Sequence, residues 1–138
     1  MVVVDGAGVP LGIHVASASV AEITLAPSTL KAIRVPGCGR RGHKSVRVIA
    51  DRAYDSDPFR TAQAKRGITV IVPYRSNNLH RRFEDGRGLR RYHHRWIVER
   101  TFAWLGGFRR LLVRHERRTS MYLAFLYFAS ALIALRRS

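Results

Sequence analysis

The stretch VRVIADRAYDSDPFRTAQAKRGITVIVP, residues 46–73, constrains the fold more than any other part of the chain. VRVIAD is a β-branched run that reads as a strand ending at Asp51. Asp55, Ser56 or Asp57 can then cap a helix that carries Pro58 in its first turn and stops at Gly67. ITVIVP is a second apolar strand. Strand, capped helix and strand in that order predict an α/β protein with a mixed sheet and helices on its faces.

The flanking segments extend the pattern. MVVVDGAGVPLGIHVASA holds a DG turn signal between two β-prone runs and predicts a hairpin with strands near 1–4 and 10–17. PSTLKAIRV is a short helix or loop, and VPGCGRRGHKS is a basic, glycine-rich connector. After the second strand comes a polar basic loop, YRSNNLHRRFEDGRG, and then a helix over roughly 90–105 that can continue to 114. MYLAFLYFASALIAL, residues 121–135, reads as a buried terminal helix capped by Thr119 or Ser120. At 15 residues it spans ~22 Å, short of the ~30 Å hydrocarbon core, so no membrane partner is expected. The length of 138 residues fits one domain.

Charge narrows the class of partner. The chain has 25 Lys+Arg against 9 Asp+Glu, a formal +16, and only three of the cations are lysine. Arginine matches phosphate with a planar fork of donors, so this excess points to a polyanion such as DNA. The 46% hydrophobic content is enough for a core and argues against disorder. One cysteine, Cys38, rules out an internal disulfide and fits a reducing cytoplasm. Cys38 and His43 are too few for zinc, and GCGRRG precedes a strand instead of joining strand to helix, so it is no dinucleotide loop.

Two acids stand out. Asp51 lies at the C-terminal end of a strand, where open α/β sheets place ligand sites, although a lone aspartate there is often a helix cap. Glu99 sits among arginines, histidines and aromatics in RRYHHRWIVERTFAW, residues 90–104. On a helix, Tyr92, Arg95 and Glu99 share one face, while Val98, Phe102 and Leu105 form an apolar stripe that would press the helix onto the sheet. Spacing alone also allows a simple ion pair between Arg95 and Glu99, four residues apart. Trp96, Phe102 and Trp104 read as core aromatics, and His93 and His94 as solvated or DNA-facing.

The chain resembles the DDE-type insertion-sequence transposases. The likeness is carried by VVDGAGVPLGIHVASAS with AEITL, by ADRAYDSDPFRTAQAKRGITVIVPYRSN, and by RRYHHRWIVERTFAWLGGFRRLLVRHERR. The last holds the family's Tyr-x2-Arg-x3-Glu signature as Tyr92, Arg95 and Glu99. The resemblance implies an RNase H-like catalytic domain in which Asp51 is the second catalytic aspartate and Glu99 the glutamate. With a first aspartate they would hold two divalent metals, Mg²⁺ or Mn²⁺. Tyr92, Arg95, Arg100, Arg109 and Arg110 would orient Glu99 or contact DNA.

Two departures qualify this. Where the family often has a lysine seven residues after the glutamate, this chain has Gly106. The chain also matches from the family's second strand onward, so the first, central strand with its aspartate and any N-terminal DNA-binding region are expected to be missing. Strands 1–4 and 47–50 would then each carry an unpaired edge. Asp5 sits in the DG turn and does not replace the first aspartate.

Two functions follow. One is the C-terminal part of a metal-dependent transposase that cleaves DNA at element ends and transfers strands into target DNA. It would be inactive alone, with the missing part supplied by an upstream reading frame or by full-length transposase within an oligomer. The other is an inactive, basic DNA-binding remnant that regulates full-length transposase. Both place the chain in the bacterial cytoplasm, at the nucleoid.

Overall fold

Asp5 shapes the first element by folding its side chain back on the turn that follows. Its Oδ1 accepts from the amides of Ala7 and Val9 at 2.9 and 2.8 Å. Gly8 closes the turn with φ +87°, a backbone state that favours glycine. The flanking runs, β1 (Val2–Val4) and β2 (Pro10–Ile13), pair antiparallel with Val2 opposite Ile13. β2 ends at Ile13, short of the strand to residue 17 that the sequence suggested. The Met1 ammonium donates to the His14 carbonyl at 2.8 Å, just past the last paired residue, Ile13.

The computed structural model describes residues 1–33, 46–78 and 86–137. Residues 34–45, with Cys38, His43 and the glycine-rich connector, and most of the basic loop at 79–85 lie outside the described residues. The chain divides into two compact units, one formed by residues 1–34 and 96–138 and the other by residues 35–95.

In the first unit, α1 (Glu22–Ala32) begins earlier than the short segment the sequence suggested and carries Pro27 inside it. It packs on the hairpin through Ala26, Thr29 and Leu30. Gly12 permits the close approach, since a Cβ there would lie 3.0 Å from the Ile33 side chain and 3.2 Å from the Thr29 carbonyl. α4 (Trp96–Gly106), α5 (Arg109–Leu112) and α6 (Thr119–Leu135) complete the unit. Leu105, Leu126, Ala129 and Ile133 form its core, with Ile13, Trp104 and Phe108 packed against them. Gly106 and Gly107 break the helix expected to run on to 114, and glycine disfavours helix by about 1 kcal/mol against alanine.

The second unit is built on β3 (Val46–Ile49) and β4 (Ile68–Ile71), paired parallel with Val46 opposite Ile68. A parallel pair needs a crossover, and α2 (Asp57–Ala64) supplies it. Ser56, one of the three candidates, is the cap, its Oγ accepting from the Phe59 amide at 3.4 Å. Gly67 ends the crossover with φ +73°. A short helix, α3 (Gly86–Leu89), leads into a 3-10 helix at Arg90–Arg95.

The protein is mixed α/β, but among the described residues the strands form two two-stranded ladders instead of one mixed sheet. Among the described residues each strand therefore has a single hydrogen-bonded neighbour. The expected cap of α6 is also corrected. Arg118 holds the cap position without a side-chain bond, while Thr119 and Ser120 already lie in the first turn. No helix among the described residues is long and apolar enough to cross a membrane.

Candidate functional site

The last ladder bond on the Asp51 side is Ala50 N–H to the Ile71 carbonyl at 3.2 Å, and the chain leaves the sheet at Asp51. The Asp51 side chain caps a 3-10 turn, Arg52–Tyr54, with Oδ1 accepting from the Arg52 amide at 2.6 Å. The cap reading of Asp51 is thus correct, and it does not exhaust the residue. The Tyr92 hydroxyl donates to the same oxygen at 3.4 Å, and Arg95 Nη1 stands 3.5 Å from Oδ2. The side chain of Asp51 is still 56% exposed.

Tyr92 and Arg95 arrive together because residues 90–95 form a 3-10 helix, in which positions three apart eclipse. The Arg95 guanidinium also lies 5.9 Å from the centre of the Tyr92 ring. The continuous α-helix expected over 90–105 is replaced by this 3-10 turn followed by α4. His93 and His94 supply a cause. Each ring Nδ1 bonds a carbonyl three residues back, Arg90 for His93 and Arg91 at 3.2 Å for His94. Side-chain bonds at that spacing compete with the α-helical ladder. Both histidines are exposed, as the sequence suggested.

The platform beneath Asp51 was missed by sequence reasoning. Arg60 is buried, bonding Asp55 at 2.6 Å, Asp57 at 3.1 Å and the Val72 carbonyl at 2.9 Å. Its guanidinium also packs 4.2 Å from the centre of the Tyr74 ring. Arg75 ties the other side, its amide to Asp55 Oδ2 at 2.7 Å, Nε to the Arg52 carbonyl at 3.1 Å and Nη2 to the Ala53 carbonyl at 3.2 Å. Burial alone would push the Asp55 carboxyl up, but the Arg75 amide and the Arg60 guanidinium together hold it below the ordinary carboxylate value. In sequence these arginines look like any others, so the only signal was the run of acids at 55 and 57.

The remaining candidates lie in the other unit. Glu99 is exposed in the first turn of α4. Arg100 is committed to the hairpin: Nη2 donates to the Ala7 carbonyl at 2.8 Å, between the Trp96 and Trp104 rings at 4.7 and 4.8 Å. Arg109 is exposed at the start of α5, and Arg110 bonds Glu116 at 3.1 Å and packs over Phe125. The buried face of α4 also differs from expectation. Leu105 is buried, but Phe102 is 52% exposed and Thr101 takes its place, donating to the Gly8 carbonyl at 2.7 Å. Trp96 is likewise exposed and serves the stack with Arg100 rather than the core.

Among the described residues no group of three or more His, Cys, Asp and Glu side chains is placed to hold a metal. Asp51 by itself carries oxygen donors, the ligand type that hard divalent cations take. It offers exposed carboxylate oxygens, although Arg95 Nη1, 3.5 Å from Oδ2, competes for one of them.

Comparison with known proteins places these features in a family. The Transposase DDE domain matches residues 1–133. A Burkholderia cepacia protein named "Putative transposase for insertion sequence element IS402" is 42% identical over 143 residues, covering 99% of this chain. The chain spans 64% of that relative's length. No solved structure matches. With the family matched along nearly its whole length, the chain belongs to the DDE-type insertion-sequence transposases.

Proposed function

We propose that the chain is the C-terminal part of an RNase H-like transposase catalytic domain, which cleaves DNA at the ends of an insertion sequence and joins them to target DNA. The observation that carries the reading is the meeting of Asp51 with Tyr92 and Arg95, two of the three signature residues, at the end of β3. Asp51 and Glu99 would hold divalent metal, Mg²⁺ or Mn²⁺. When bound, such metal neutralises charge on the entering and leaving phosphodiester oxygens. Tyr92 and Arg95 orient the Asp51 carboxylate, and the Arg60 and Arg75 platform fixes the turn that carries it. Arg100 is assigned to holding the hairpin, while the exposed Arg109 is assigned to the DNA backbone. One domain over 1–138, DNA as substrate, an oligomeric active assembly with an upstream product or full-length transposase, and a place at the bacterial nucleoid complete this reading.

One observation favours the second reading, a regulatory DNA-binding fragment. The Asp51 carboxylate is already engaged by the Arg52 amide, Tyr92 and Arg95 without metal. Mn²⁺ titration followed by paramagnetic broadening of NMR signals separates the two. Broadening centred on Asp51 and Glu99, and lost in Asp51→Asn and in Glu99→Gln, is expected. Broadening elsewhere, or none by about 10 mM Mn²⁺, roughly ten-thousandfold weaker than micromolar binding, would leave the regulatory fragment as the better account.

A further inference from the structure

α6 is buried on one side only. Leu126, Ala129 and Ile133 face the core, and at about 100° per residue the opposite side is formed by Met121, Ala124, Phe128, Ala131 and Leu135. All five are exposed, Met121, Phe128 and Leu135 by 51, 64 and 73%. Their spacing alternates three and four residues without interruption, the seam of a coiled coil. We propose that this face is a self-association surface, on which α6 of a second copy of the chain packs antiparallel.

Three features select that occupant. The seam alternates large and small residues, and antiparallel pairing sets large against small. With the two-fold axis level with the peptide between Ala129 and Ser130, Phe128 of each copy meets Ala131 of the other, and Leu135 meets Ala124. The surface is thus self-complementary, as a two-fold interface requires.

The second feature is charge. No charged residue occurs between Arg118 and Arg136, so nothing along the seam repels a copy of itself. In a parallel pair, Arg118 and Arg136 would each face their own copies. The antiparallel register brings Arg136 level with Leu123 and carries Arg118 past the other helix's end, separating the arginines by about 7.5 Å along the axis.

The third feature is area. The seam with the neighbouring exposed Tyr127 would bury roughly 1,000 Å² over two copies, the low end for a specific interface. A weak dimer follows, dissociating in the range of about 1 to 100 µM.

Analytical ultracentrifugation of the 138-residue chain, without DNA or metal and in about 0.5 M salt to screen the net charge, tests this independently of the proposed activity. A monomer–dimer equilibrium is expected. Phe128→Glu should weaken it by about a hundredfold or more, buried unpaired charge being costly. Ala131→Phe should weaken it by about tenfold although it adds apolar surface, because it fills the hole for Phe128. Both positions are exposed, so both variants should retain the parent's circular dichroism. A chain that stays monomeric up to about 500 µM, well above the expected dissociation constant, would overturn the proposal. So would a dimer indifferent to Phe128→Glu, or association strengthened by Ala131→Phe, since either places the contact elsewhere or reduces it to unspecific adhesion.

Discussion

Asp55 shows how much of an exposed site is decided beneath it. The carboxylate that carries the proposed chemistry, Asp51, is open to solvent, and its ion pair with Arg95 contributes about 1 kcal/mol at most. The Asp55 side chain, by contrast, is 2% exposed and bonded to Arg60 and the Arg75 amide. Its folded-state pKa is depressed, so its contribution to stability is fully present above the ordinary carboxylate value. That contribution is lost as pH falls through the lower folded value, because protonation then favours the unfolded chain. Chemical denaturation at pH 7 and at about pH 3 should show this loss, and Asp55→Asn should remove part of the pH dependence while destabilising the protein at pH 7 by about 3 kcal/mol. An unchanged pH profile in Asp55→Asn would assign the acid sensitivity to other groups.

At the scale of elements, the contact between the hairpin and α4 depends on Gly8. A Cβ there would sit 3.0 Å from both Thr101 Oγ1 and the Trp104 ring, at a φ that side chains rarely adopt. Gly8→Ala should cost on the order of 2 kcal/mol in thermal or chemical unfolding, and Thr101→Val should cost roughly 1–3 kcal/mol by leaving the Gly8 carbonyl unsatisfied. Wild-type stability in both would show that the turn relaxes freely. The sequence announced this turn, a strand just before Asp51, a helix cap among residues 55–57 with Pro58 and the Gly67 stop, because each is written in local chemistry. It did not announce the 3-10 helix at 90–95, since histidine bonds to carbonyls three residues back leave no periodic signature. Nor did it identify the buried face of α4. Thr101 displaces Phe102 because of a carbonyl 93 residues away, and Trp96 is drawn out by Arg100, so residue type alone misassigned both. Of the candidate site, Asp51, Tyr92 and Arg95 stand out in the sequence from motif and strand end. Their meeting with one another does not, since the motif leads one to expect Tyr92 and Arg95 to orient Glu99. The arginines that hold their platform look in sequence like the rest of a basic surface.

At the scale of the whole molecule, the +16 charge is not one uniform resource. Arg60, Arg75 and Arg100 are spent on carboxylates, carbonyls and aromatic rings within the protein. Arg109, at the start of α5, and Arg117 and Arg118, in the short stretch that joins α5 to α6, are exposed. If DNA is the partner, each phosphate neutralised releases counterions, and the logarithm of the binding constant falls linearly with the logarithm of salt by about 0.9 per contact. Affinity for an unrelated duplex should therefore drop by about 10³-fold or more between 50 and 200 mM salt, with little difference between sequences. The division among arginines makes this sharper. Arg109→Gln, Arg117→Gln and Arg118→Gln together should reduce the slope by roughly 2–3, whereas Arg100→Gln should destabilise the hairpin unit and leave the slope of the folded protein unchanged. Fluorescence anisotropy across a salt series measures both. A slope that falls equally for Arg100→Gln would mean that its guanidinium leaves the tryptophans for phosphate. A slope untouched by the triple variant would move the DNA surface away from the α5–α6 connection.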